Sequence, residues 1–271
     1  MNAWLSNTVI ALKLTFRDRQ ALFWSYLFPL FFLFVFCSIF GRGQPKAVAM
    51  LMPGLLCISA MAAGFFGLSI GLVSARERGI LRRYRLAPVH PWVIISSELV
   101  SSFLIALSTL LLQLVLAKVI YRFEMVGSLW ALLVMLSVGV LAFLALGFVI
   151  ASVAENAKVA PVMGNLLFFP LMFLGGAAIP LAFLPSPIQR IARLLPSSYM
   201  VDGLKRTIVD GADLGANGMN LAVLAATFVV ALIVASKLFR WESGEPLSPT
   251  KKAWVAAIVL IFVVAALWTR G

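Results

Sequence analysis

The sequence is poor in everything a soluble enzyme needs. Of 271 residues only 12% are charged, 10 are acidic and one, His90, is a histidine. A water-soluble domain carries about a quarter of its residues as charges. Zinc sites draw on three or four Cys, His or carboxylate ligands, and no such cluster stands in the chain. The two cysteines, Cys37 and Cys57, lie inside apolar runs and read as membrane packing rather than as a disulfide. No GxxxxGK[ST] run occurs, so there is no P-loop, and ATP chemistry would need another subunit. Gly67-Leu68-Ser69-Ile70-Gly71 matches GxSxG by letters, but it sits in an apolar run where no strand-to-helix elbow can form.

What the chain does have is apolar surface: 62% hydrophobic residues and a mean hydropathy of +1.04. A soluble fold of this size has too little interior to hide it. A polytopic membrane protein is implied. The net charge is +12, and the basic residues fall between the apolar runs. That distribution reads as membrane topology and contact with anionic headgroups, not as nucleic-acid binding.

Uncharged runs cover 20–41, 47–75, 99–117, 125–154, 159–189, 214–236 and 253–269. A bilayer core of about 30 Å needs roughly 20 helical residues. The runs predict helices near 22–40, 49–73, 93–117, 128–152, 159–182, 219–238 and 253–269, the last at the lower length limit. They do not alternate polar with apolar, which excludes a lipid-facing barrel. The arginines at 76, 78, 82, 83 and 85 put that loop, and with it the N-terminus, on the cytoplasmic side.

Three segments are not spans. In residues 3–19, Leu5, Val9, Leu12 and Phe16 share one helical face, predicting an interfacial amphipathic helix. The loop 74–92 is a short basic helix ended by Pro88 and Pro91, either a topology determinant or a surface for a partner's groove. Residues 183–214 form a long outer segment, and Gly175-Gly176 with Pro180 predict that the fifth span breaks inside the membrane. Ser59, Ala63, Gly67 and Gly71 form a small-residue stripe suited to close helix packing. Glu98, near the cytoplasmic end of the third span, is either a functional acid or a snorkelling one.

Two stretches together resemble the ABC-2 type transporter permease family, the membrane subunit of ATP-binding cassette exporters. The first, RERGILRRYRLAPV, resembles the family's coupling helix through Glu77, Arg78, Gly79, Leu81, Arg82, Arg83, Arg85, Leu86 and Pro88. The second resembles its outer re-entrant segment through Gly176, Pro180, Leu184, Pro185, Ile188, Pro196, Ser198, Tyr199, Asp202, Arg206 and Gly211. The resemblance covers about 1–240. It implies an all-α transmembrane helical bundle of six spans, to which 241–271 adds a linker and a seventh span outside the family pattern.

The resemblance further implies two permease copies and two ATPase subunits, with ATP and magnesium held by the ATPase and no cofactor or metal on this chain. It implies a bacterial cytoplasmic membrane, a cytoplasmic N-terminus, and export of an amphipathic, drug-like or lipid-linked substrate. Residues that would face the pathway are Phe28, Phe31, Phe32 and Phe169. Open alternatives are a polysaccharide or glycolipid exporter, and a non-transporting membrane scaffold or intramembrane enzyme.

Overall fold

A computed structural model describes residues 3–17, 19–41, 43–80 and 91–238. All regular elements among the described residues are helices, without a strand. Helix α1 is Ala3–Arg17. Helix α2 runs from Arg19–Leu22 through a wide π-helical stretch, Phe23–Leu27, into Phe28–Phe40. Helix α3 is Pro45–Glu77, with a second π-helical stretch at Ala63–Leu68. Helices α4, Pro91–Tyr121, α5, Leu129–Val153, and α6, Val159–Leu174, follow. Two short helices, α7, Ser186–Ala192, and α8, Pro196–Ile208, precede α9, Gly218–Leu238.

Four of these helices are long and apolar enough to cross a membrane: Pro45–Glu77, Ile95–Tyr121, Leu129–Val153 and Gly218–Leu238. Ser25–Phe40 and Val159–Leu174 are equally apolar but shorter. The expected fifth span, 159–182, stops at Leu174. Gly175 follows as the cap and Gly176 turns left-handed at φ 82, where a side chain would be strained. The expected seventh span, 253–269, and Lys251 and Lys252 before it lie outside the described residues.

Both π-helical stretches have local causes. Pro29 offers no N–H to the carbonyl one turn earlier, and the turn just before it widens so that Phe28 N–H reaches Phe23 O. In α3 the widening coincides with a close backbone crossing between helices. A Cβ on Gly64 would run into the Phe143 carbonyl, and a Cβ on Gly147 would run into the carbonyl of Gly64. Only glycine allows the α3 and α5 backbones to meet this closely, which is how helices pack where no water drives them together. The crossing lies beside the expected small-residue stripe rather than on it. A Cβ on Gly67 would meet only the Ser25 hydroxyl, at 3.3 Å, and one on Gly71 would meet nothing within 4 Å.

Helix α8 packs its apolar side inward. Met200, Leu204 and Ile208 are buried. The fit with α5 is reciprocal: Met200 fills the space over Gly139, and Met135 fills the space over Gly203. Helix α1 lies along α4, where Trp4 Nε1 donates to Ser96 Oγ at 3.1 Å. Val9 and Phe16, on its apolar face, remain exposed, while Thr8 is buried. The protein-facing side of α1 is therefore not the apolar one, and the apolar side is left for another apolar medium.

Candidate functional site

The two ends of the bundle carry different polar structures. One end gathers the close of α3, the α5–α6 turn and the close of α9, where Ser152 Oγ donates to Ala235 O at 3.4 Å. The other gathers the break after α6, the start of α8 and the α4–α5 loop, where Val126 N–H donates to Ile208 O at 3.0 Å.

At the first end, Arg76 is 5% exposed and buries its guanidinium against α5. Nη1 donates to Ala151 O at 3.0 Å, and Nη2 donates to Ala154 O. The exposed Glu77 accepts the Ala157 N–H on Oε1 at 3.0 Å. Asn156 Oδ1 accepts from Lys158 N–H and Val159 N–H, capping the start of α6. Arg78 Nε donates back to Ser74 O at 3.3 Å, and Gly79 leaves the helix at φ 69. Of the expected coupling residues the structure thus describes Glu77, Arg78 and Gly79. Leu81, Arg82, Arg83, Arg85, Leu86 and Pro88 lie outside the described residues.

At the second end the motif residues come together around the helix break. Gly176 makes the turn, and Ala178 N–H returns to Met172 O at 3.0 Å. Pro180 precedes the 3-10 turn Leu181–Phe183, Pro185 precedes α7, and Pro196 opens α8, where its missing N–H costs nothing. Ser197 Oγ donates to Leu171 O at 2.9 Å, and Tyr199 Oη donates to Arg193 O at 2.8 Å. Partial burial pushes the Tyr199 phenol up, opposed by the charge of Arg193. Asp202 pairs with Arg206 at 2.8 Å and accepts from Asn220 Nδ2 at 3.0 Å. Asn217, fully buried, donates to Thr207 Oγ1 at 3.1 Å and to Asp213 O at 3.2 Å.

Sequence reasoning missed Asn217, Asn220 and Thr207. Their only signal was polarity at the start of an apolar run, beside a motif helix. It also read Arg76 as one topology charge among five, although the residue faces inward.

Between the two ends, the expected pathway phenylalanines fall on a seam of α2, α3 and α6. Phe28 meets Phe32 at a tilt, 4.7 Å between ring centres, and Phe168 edge-on at 6.2 Å, and Phe66 meets Phe168 at 5.3 Å. Phe31 and Phe169 are exposed at its margin, and Phe169 contacts Phe168 at 5.7 Å. The link from α2 to α6 therefore runs through Phe168. Both cysteines are free and buried, and Cys57 Sγ lies 3.8 Å from the Ser197 carbonyl it donates to. Among the described residues no group of three or more His, Cys, Asp or Glu gathers as a metal site would.

Comparison with known proteins gives the chain a family. The family model described as "ABC-2 type transporter" matches residues 2–209. A Bacillus subtilis (strain 168) transport permease, YvfS, is 24% identical over 253 residues, covering 90% of this chain and all of that protein. Nodulation protein J of Rhizobium meliloti (strain 1021) is 29% identical over 197 residues, 71% of this chain and 73% of that one. The linearmycin resistance permease protein LnrN of Bacillus subtilis is 27% identical over 165 residues, 59% of this chain and 43% of that one.

Proposed function

Because the chain belongs to the ABC-2 type transporter family, we propose that it is the permease half of an exporter whose ATP is hydrolysed by separate subunits. Two copies of the chain and two ATPase subunits make the working assembly. The membrane is the bacterial cytoplasmic membrane, with the Glu77 end of the bundle facing the cytoplasm and the Tyr199 end facing out. The coupling segment begins at Glu77 and Gly79, and its contact with the ATPase is made by Arg78 and by Leu81, Arg82, Arg83, Arg85 and Pro88. The break and short helices from Gly176 to Arg206 close the outer side. Ala253–Thr269 adds a seventh span at the margin of the assembly.

The observation that supports this reading best is the separation of the two family-like stretches. Glu77 and Tyr199 lie at opposite ends of one helical bundle, joined by α3, α5 and α6. An ATP-driven switch acts by making different contacts in two states. A bundle whose opposite ends carry a coupling segment and a set of broken helices is suited to that.

The substrate is an amphipathic, drug-like or lipid-linked molecule. The Phe28, Phe32 and Phe168 seam, with Phe31 and Phe169 at its edge, supplies apolar surface and almost no charge, and one relative bears the name of a resistance permease. A polysaccharide or glycolipid cargo would call for polar groups along that seam.

The test is co-purification of the full chain with an ATP-binding cassette ATPase from its own cells, followed by reconstitution in vesicles loaded with an amphipathic fluorescent dye. ATP-dependent dye movement that disappears with an ATPase-dead partner is expected. A chain that purifies from those cells without any ATPase would overturn the reading.

A further inference from the structure

The α5–α6 turn is held by two consecutive residues of another helix. Arg76 and Glu77 close the last turn of α3 and face in different directions. The carbonyl oxygens of Ala151 and Ala154 belong to the last turn of α5, where a helix has no amide donors of its own left to offer. The Arg76 guanidinium donates to both, and its charge opposes the negative end of the α5 dipole. Ala157 sits two residues ahead of α6, and its N–H donates to Glu77 at 3.0 Å. The Glu77 carboxylate there faces the positive end of the α6 dipole. One dipeptide therefore caps the end of one helix and the beginning of the next, with the cation on the negative end and the anion on the positive end.

The placement along the chain gives this arrangement a second meaning. Glu77 is followed at once by Arg78 and the left-handed Gly79, where the helix stops. Whatever moves the end of α3 moves Arg76 and Glu77. Without them, that motion would reach α5 and α6 only through apolar packing and the glycine crossing further along α3. With them, it also reaches α5 and α6 by direct hydrogen bonds, 75 to 80 residues further on in sequence. Charge-assisted hydrogen bonds are short and stiff, and packed helices shift as units rather than deforming.

We infer that Arg76 and Glu77 form a transmission clamp, which carries displacement of the end of α3 to the α5–α6 turn and so to the pathway helix α6. This rests on the exporter reading above and sharpens it. Glu77 is a positioning residue acting inside the chain, and the association with the ATPase falls to the neighbouring basic residues.

Hydrogen–deuterium exchange of the full chain in complex with its ATPase tests the clamp, with and without a non-hydrolysable ATP analogue. Peptides covering 70–79 and 154–160 are followed. In the wild-type complex both respond to nucleotide. In Glu77→Ala the ATPase stays bound and 70–79 still responds, while the change at 154–160 falls roughly 5-fold or more, the lower bound for an energetic coupling between sites. Glu77→Gln keeps an oxygen acceptor for Ala157 N–H and restores most of that change.

A full response at 154–160 in Glu77→Ala would overturn the clamp. So would loss of the ATPase in both Glu77 variants alike, which would make Glu77 a partner contact. Arg76→Lys, which keeps the charge but not the fork to two carbonyls, is expected to fall between wild type and Glu77→Ala. A wild-type chain that binds no ATPase would instead remove the exporter reading, and the clamp with it.

Discussion

Gln113 of α4 donates from Nε2 to the carbonyl oxygen of Pro29 in α2 at 2.8 Å, and it does so fully buried. Its Oε1 has no hydrogen-bond partner among the described residues. The same seam carries Tyr26 Oη with Ser108 Oγ at 2.8 Å and Tyr121 Oη with Ser38 Oγ at 3.1 Å. Residue numbers rise together on both helices, so α2 and α4 run parallel and are laced by polar side chains along their length.

That half-satisfied amide makes an unusual expectation. Gln113→Leu removes one hydrogen bond, but it also removes a buried oxygen with no donor. Interhelical hydrogen bonds inside membranes average about 0.6 kcal/mol, and an unsatisfied buried acceptor costs about 1–3 kcal/mol. Thermal unfolding in detergent should show Gln113→Leu as stable as wild type or slightly more so. Gln113→Ala, which leaves a cavity, should lose about 2 kcal/mol or more. A large loss in the leucine variant would mean that the Pro29 contact matters more than its geometry suggests.

The α3–α5 crossing predicts a sharp contrast between the glycines at the crossing and Gly71 further along α3. Gly64→Ala and Gly147→Ala each push a methyl group into backbone that cannot give way, which costs about 1–3 kcal/mol by overpacking. Gly71→Ala meets nothing within 4 Å and should be tolerated, since alanine favours the helix by up to about 1 kcal/mol. Melting temperatures of the three variants check this directly. Equal tolerance at all three would mean that the helices separate more easily than their packing implies.

At the outer end, Asp202 accepts from two partners of different value. Arg206 and Asp202 are both nearly half exposed, 49% and 43%, and such a pair is worth at most about 1 kcal/mol. Asn220 is 6% exposed, and its Nδ2 reaches Asp202 and Asn217 Oδ1. Removing it takes the donor from the buried Asn217 Oδ1, at about 1–3 kcal/mol. Asn220→Ala should therefore destabilise more than Arg206→Ala, and only the arginine variant's small effect should fade in high salt.

Orientation is checked with single cysteines. Cys37 and Cys57 are buried and leave a low background. A cysteine at Ser186, which is exposed on α7, should react with an impermeant thiol reagent in whole cells. One at Arg83 should react only after the membrane is opened. The reverse pattern would invert the assignment of sides. A C-terminal reporter active only outside the cytoplasm would accompany a seventh span over 253–269, and one active only inside would refute it.

The helices themselves were legible in the sequence. A span is a local property, because about 20 neighbouring residues must together avoid charge. The expected starts and ends near 128–152 and 219–238 fall within one residue of Leu129–Val153 and Gly218–Leu238. The break at Gly175-Gly176 was equally legible, since its signal is the residue type needed for the turn. The inner end of the second span was underestimated. Arg76 and Glu77 ended the uncharged run at Ala75, yet both stay in α3 because partners on α5 and before α6 satisfy them.

What the sequence by itself determined is therefore an all-helical membrane chain, the order of its helices, the place where one of them breaks, and its resemblance to a family of permeases. What only the tertiary structure decided is which residues meet. Gly64 rather than Gly67 or Gly71 takes the close crossing, Phe168 rather than Phe169 links α6 to α2, and Arg76 turns inward while Arg78 stays exposed. The physical reason is range. Hydropathy and turn chemistry act between neighbours in sequence, whereas a glycine crossing or a guanidinium between two helix ends depends on the rotation of helices about their axes. That rotation is set by the packing of the whole bundle at once.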